Sequence, residues 1–291
     1  MFLGLPLTAD PVQIEWWKAV ILGVVQGITE FLPISSSAHL VLIPWLFGWR
    51  DPGLTFDVAL HIGTLVAVLT YFRKDIRAMI AGLARGLRAR APLAEPDGRL
   101  AILIAVGSIP GVLAGLIFNG PIDDFFHRPT AVRTALAIMA AMLILMGLLL
   151  FVAERFGLRR RELPDLRFGD AGIIGITQAL ALIPGVSRSG STLTAGLFLN
   201  LRRDVAARFS FLLSLPITGG AAAKKIYDVA REGGLASSDR LPFAIGILTA
   251  GIVGYSCIAF LLRYLQRATT LAFTIYRVAF GVLILFLLVI R

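Results

Sequence analysis

The stretch "EFLPISSSAHL", residues 30–40, places a carboxylate, three hydroxyls and an imidazole inside an apolar run. A hydroxyl beside an imidazole is the arrangement of an activated nucleophile with its base. Pro33 interrupts any helix at this point. When the helix restarts, Ser35, Ser36 or Ser37 can cap it, and Ser36 and His39, three apart, then share its first turn. Upstream, Gln26 and Glu30 are four apart and lie on one helix face. Glu30, with Gln26 beside it, offers oxygen ligands to a divalent cation such as Mg2+ or Ca2+. A serine in such a segment can serve only as a cap or a packing contact. Glu30 and His39 ask for more, because an ionisable group at membrane depth costs at least ~2.5 kcal/mol.

A second polar turn, "PGVSRSGST" at 184–192, follows Pro184. Its glycines let backbone N–H groups approach an anion, and the next helix would present its positive end there. Arg188 adds a planar fork suited to phosphate oxygens. Ser187, Ser189, Gly190, Ser191 and Thr192 complete the anion cradle; the rival reading of Arg188 is a structural ion pair with Glu30. Asp57 and His61 are candidate lining residues with Ser35 and Ser37, although a satisfied core role is favoured for His61 and a helix cap is open for Asp57. His127, in "PIDDFFHRP", reads as solvated. Arg277, inside an apolar segment, is expected to snorkel or pair.

The elements that must position these residues are membrane helices. Of 291 residues, 57% are hydrophobic and only 16% are charged, against roughly 25% in globular domains. Apolar segments at about 55–72, 100–118, 132–153, 205–223, 242–262 and 270–290 reach the ~18–20 residues that a bilayer crossing needs. The regions 12–47 and 171–200 differ: each is an apolar half-helix, a proline, a serine-rich turn and a second apolar half. Broken backbone at membrane depth must be buried in protein or line a wet cavity, so both are expected to be re-entrant helical hairpins. The single cysteine, Cys257, rules out an intrachain disulfide, and no basic region precedes Lys18, so a cleaved signal peptide is not expected.

The two hairpins also resemble each other. "GVVQGITEFLPISSS" (23–37) aligns with "GITQALALIPGVSRS" (175–189), and "FDVALHIGT" (56–64) with "FSFLLSLPI" (209–217). A single membrane domain made of two halves, about 1–153 and 165–291, follows. If the hairpins do not cross, seventeen Lys and Arg fall on the side of connectors 73–99 and 154–170 and eight on the other. The richer side should be cytoplasmic. The first hairpin then enters from outside and the second from the cytoplasm, an inverted repeat whose site lies near the midplane. The net charge of +10 is thereby accounted for by connectors, and nucleic-acid binding is not expected. A Walker A motif, an H-E-x-x-H zinc motif and a histidine pair at metal spacing are all missing from the sequence.

"QGITEFLPISSSAH" and "PGVSRSGST" resemble the two signature motifs of the bacterial undecaprenyl-diphosphate phosphatase, or bacitracin resistance, family; "FDVALHIGT" and "RFSFLLSLP" resemble its flanking helices. The resemblance implies removal of the terminal phosphate of a polyprenyl diphosphate at the bacterial cytoplasmic membrane, recycling the lipid carrier of cell-wall synthesis. It places the essential serine and histidine on Ser36 and His39, the phosphate-binding arginine on Arg188, and the first acidic-or-amide pair on Gln26 and Glu30. Gln26 stands where some members carry glutamate, which puts a two-carboxylate metal site in doubt. The acid-phosphatase-like lipid phosphatases need S-R-x5-H, and Thr194 occupies that histidine position here. The expected reaction is metal-assisted phosphoanhydride hydrolysis in a cavity opening outward. A lipid transporter or flippase of the same architecture is the alternative. Glycine-rich helices such as 242–262 could pack within the chain or across a homodimer.

Overall fold

The computed structural model describes residues 14–50, 52–126 and 132–290; the expectations placed on the N-terminal segment and His127, and two of the eight basic residues counted on the outer side, Arg128 and Arg291, lie outside the described residues. Eleven α-helices occur among them: α1 (Trp16–Thr29), α2 (Ser36–Phe47), α3 (Gly53–Tyr71), α4 (Arg73–Arg88), α5 (Pro96–Phe126), α6 (Val132–Phe156), α7 (Phe168–Leu180), α8 (Arg188–Phe198), α9 (Arg203–Arg231), α10 (Ser237–Arg267) and α11 (Leu271–Ile290). Helices α3, α5, α6, α9, α10 and α11 are long and apolar enough to cross a membrane. They are the six spans expected from the sequence, and the chain is an all-α, multi-pass membrane protein.

The two expected breaks are where the prolines put them. Pro33 lies in the gap between α1 and α2, and Pro184 in the gap between α7 and α8. Ser35 and Ser187, each just before the second half-helix, share a backbone rare for a side-chain-bearing residue, with φ of 75° and 70°. Each pair goes out and comes back. Trp17 of α1 meets Trp49 just past α2, ring centroids 5.3 Å apart and edge-on, with Lys18 Nζ 5.5 Å from the Trp49 ring. At the foot of α7 and α8, Arg161 binds the Asp170 carboxylate and the Leu199 carbonyl, while the Asn200 carbonyl accepts the N–H groups of Arg160 and Arg161.

Ion pairs gather the arginine-rich connectors on one face. Asp75 pairs with Arg208, and Glu154 takes Arg203 and the Thr270 hydroxyl. Arg99 donates to the carbonyls of Pro164 (3.1 Å) and Leu166 (2.6 Å). The 73–99 connector is largely α4, an amphipathic helix rather than a simple loop. Met79, Gly82 and Gly86 face inward, while Asp75 in the first turn and Arg85 and Arg88 in the last complement the helix dipole.

Small residues set the close helix contacts, as membrane packing requires. A Cβ on Gly251 would approach Gly63 O to 3.2 Å, one on Gly246 would meet Leu60 and Phe56, and one on Gly254 would strike the Phe31 ring. The glycines of α10 are therefore used inside the chain, against α1 and α3. Likewise α7 packs on α5, where a Cβ on Gly175 would fall 2.2 Å from Gly107 O. The Phe31 and Phe211 rings, 5.3 Å apart and perpendicular, link the first break to α9.

Candidate active site

Glu30 is the hub of the polar residues. It sits one residue past α1, 7% exposed, and both carboxylate oxygens are engaged. Oε1 accepts from Arg188 Nη2 at 2.7 Å. Oε2 accepts from Ser36 Oγ at 2.7 Å and from Gln26 Nε2 at 3.2 Å, and lies 3.4 Å from His61 Nε2. The spacing of Gln26 and Glu30 on one face, read from the sequence, is thus realised. The two turns are brought together as expected, although Arg188 and Glu30 are 158 positions apart.

His61 joins the site rather than the core. On α3, the i, i+4 carbonyl of Asp57 accepts from its Nδ1 at 2.7 Å, which turns Nε2 toward Glu30. No sequence signal fixed this, because the i−4 backbone carbonyl is open to a helical histidine whatever residue stands at 57 and whichever way α3 faces. A hydrogen bond to a charged group contributes about 1.5–3 kcal/mol. His61→Ala is therefore expected to lower kcat about tenfold in a phosphate-release assay. His61→Gln, whose amide can still donate to Glu30, should lose less.

His39 departs from the expectation. Its ring turns away from Ser36: Nδ1 donates to the Ser35 carbonyl (2.7 Å) and Nε2 accepts from the Tyr276 hydroxyl (2.7 Å). The ring stacks on Phe280 at 4.3 Å and on Tyr276 at 5.7 Å. Both nitrogens are committed, and the described hydrogen bonds of His39 and Ser36 do not join them. Sequence spacing put the two on one turn but could not show that α11 takes the imidazole.

In the second turn the hydroxyls are mostly occupied at home. Ser187 caps α8 by accepting from Gly190 N at 3.1 Å, and Ser189 Oγ donates to the Leu32 carbonyl at 3.1 Å. Ser191 and Thr192 fold back onto the Arg188 carbonyl, and Thr192 also bonds Ser210 Oγ. In the first turn, Ser35 and Ser37 bond each other at 3.2 Å, and Ser37 Oγ accepts from Gly185 N at 3.4 Å. Arg188 is the charged fork directed into the site. Gly190 has a separate reason to be glycine: a Cβ there would come 2.7 Å from Arg277 Nη1.

The family model described as "Bacitracin resistance protein BacA" matches residues 19–283, a range that takes in both turns, five of the spans and most of the sixth. The chain belongs to the bacitracin resistance protein family. Among its relatives in that family, a protein of Thermomicrobium roseum named undecaprenyl-diphosphatase is 50% identical over 273 residues, covering 92% of this chain and 96% of the relative. Proteins of the same name from Moorella thermoacetica and Geobacter sulfurreducens are 48% and 46% identical, over 92% and 90% of this chain and 95% and 94% of theirs.

Among the described residues no three His, Cys, Asp or Glu side chains cluster as a metal site. Gln26 Oε1, however, is a buried oxygen without a hydrogen-bond partner, on the residue whose Nε2 already touches Glu30. Glu30 and Gln26 Oε1 are both hard oxygen donors, and they would act as a set once the Gln26 amide, which now turns Nε2 to Glu30, presents its oxygen instead. That set suits Mg2+ or Ca2+ when phosphate oxygens and water supply the remaining positions.

Proposed function

We propose that this chain hydrolyses undecaprenyl diphosphate to the monophosphate and inorganic phosphate, recycling the lipid carrier of cell-wall synthesis and conferring bacitracin resistance. The observation that carries this is the meeting of Arg188 and Ser36 on opposite oxygens of Glu30. A phosphate-binding fork, a hydroxyl and a base then lie within one hydrogen-bonded unit. When the diphosphate enters, the Arg188 fork exchanges Glu30 Oε1 for phosphate oxygens and neutralises the transferring phosphoryl group. Backbone N–H groups at the start of α8 add to the same field.

Glu30 Oε2 is the base within reach of Ser36. As Ser36 Oγ attacks the terminal phosphorus, or orients a water that does, Glu30 takes the proton released. The new oxygen–phosphorus bond forms as the bridging bond breaks, and the lipid monophosphate leaves with the bridging electron pair. Water then completes the hydrolysis if Ser36 carries the phosphoryl group. His39 has no place in this step; it holds the Ser35 carbonyl at the start of α2. A divalent cation on Glu30 and Gln26 Oε1 would supply further charge neutralisation of the phosphate oxygens. Gln26→Glu adds a second carboxylate ligand, so the Mg2+ concentration for half-maximal activity is expected to fall several-fold, measured by titrating Mg2+ into chelator-stripped protein.

The same proposal includes the topology. Each broken helix pair is a re-entrant hairpin, the halves 1–153 and 165–291 are inverted repeats, and the protein sits in the bacterial cytoplasmic membrane. Supporting this, the foot of the first pair carries Trp17 and Trp49, residues typical of a membrane interface, while the foot of the second lies among the arginines. With the arginine-rich face cytoplasmic, the site opens to the outer side. A homodimer would need a face other than the α10 glycines.

Broken helices around a midplane charge also suit a lipid transporter. One assay separates the two: purified protein in detergent with polyprenyl diphosphate and Mg2+, scored for inorganic phosphate. The phosphatase releases about one phosphate per lipid; a transporter without hydrolysis releases none.

A further inference from the structure

Arg277 touches both broken turns and belongs to neither. It lies on α11 with none of its surface exposed. Nη1 donates to the Pro33 carbonyl at 3.0 Å, and Nη2 to the carbonyls of Gly185 and Val186, each at 3.0 Å. Nε donates to Leu143 O on α6 at 3.2 Å. None of the described ion pairs includes it. Of the two expectations for Arg277, to snorkel or to pair, burial overturns the first; its partners are backbone carbonyls, three of the four left open where two helices break.

The positions of those carbonyls matter. Pro33 stands midway between Glu30 and Ser36, and Gly185 and Val186 immediately precede the Ser187 cap and Arg188. One rigid, planar guanidinium thus holds the turn that carries the base and hydroxyl and the turn that carries the phosphate fork. A lysine ammonium, with its donors at a single point, cannot span both sets. Three further links join the turns: Arg188 Nη2 to Glu30 Oε1 at 2.7 Å, which the incoming phosphate would exchange, Ser189 Oγ to Leu32 O at 3.1 Å, and Gly185 N to Ser37 Oγ at 3.4 Å.

We propose that Arg277 is a positioning residue for the phosphatase reaction, fixing the separation between Ser36 and Arg188 through the Pro33, Gly185 and Val186 carbonyls. This rests on the assignment of Ser36 and Arg188 above. Arg277 touches no reacting atom, so its loss leaves ground-state binding by Arg188 in place and disturbs the alignment for attack. Misplacement of a catalytic group by about 1 Å costs on the order of 10²-fold in rate.

The test uses full-length protein in detergent: wild type, Arg277→Lys, Arg277→Gln and Ser36→Ala, each with kcat, KM and a thermal unfolding midpoint. In folded protein Arg277→Gln is expected to lower kcat by about 10²-fold with KM changed less than about threefold, and Arg277→Lys to recover part of that loss. A folded Arg277→Gln with wild-type kcat, or one in which KM rises while kcat holds, overturns the positioning role. Wild-type turnover in Ser36→Ala would instead remove the site assignment beneath it, leaving the two failures distinguishable. Should neither Arg277 variant fold, Gly147→Ala applies the same perturbation gently. Its added methyl meets Arg277 Cβ at 3.1 Å without altering a polar atom. A several-fold lower kcat at constant KM supports the proposal, and an unchanged kcat overturns it.

Discussion

Arg188→Ala is expected to reduce phosphate release by about 10³-fold or more, which is about 4 kcal/mol of transition-state stabilisation. The guanidinium is the charged fork that α8 directs into the site, and the hydroxyls around it are spent on capping and back-bonding. Nothing else in "PGVSRSGST" can take over its charge. Arg188→Lys keeps the charge but loses the fork, so it should fall between wild type and alanine. Because Arg188 also binds Glu30, unfolding midpoints are measured with kcat. A folded Arg188→Ala protein with near-normal turnover would show that the pair is only structural.

Ser36→Ala has the second large effect. Ser36 Oγ donates to Glu30 Oε2 at 2.7 Å and is half-buried at the start of α2, where alanine is tolerated by the helix. The fold should therefore survive while phosphate release falls by about 10³-fold, as when a nucleophile is removed from an otherwise intact site. Isotopically labelled terminal phosphate separates the two chemical routes. Label retained on a tryptic peptide containing Ser36 marks attack by the hydroxyl; label found only in free phosphate marks water oriented by it.

Much of this was legible because bilayers impose strict requirements. Six long apolar runs became six long helices, and Pro33 and Pro184 fell in the two breaks. The meeting of Glu30 and Arg188 was also foreseen, as the rival to the anion cradle, and it proved to be the geometry that joins the turns. What the sequence hid were contacts set by distant helices. His39 sits beside Ser36 along the chain, yet Tyr276, 237 positions away, holds its Nε2. Arg277 looked like a stray charge in a span, because its carbonyl partners lie 91 to 244 positions off. His61 was decided by which way α3 faces, and α4 was overlooked because its connector was read for charge and not for periodicity.

The most direct test of the site is a structure of the protein with a non-hydrolysable polyprenyl methylene-diphosphonate and Mg2+. The expected result places the terminal phosphonate at the junction of the two turns, with Arg188 turned from Glu30 onto its oxygens and Ser36 Oγ in line with the bridging bond. A diphosphonate bound elsewhere, with Arg188 still paired to Glu30, would contradict the assignment of this junction as the active site.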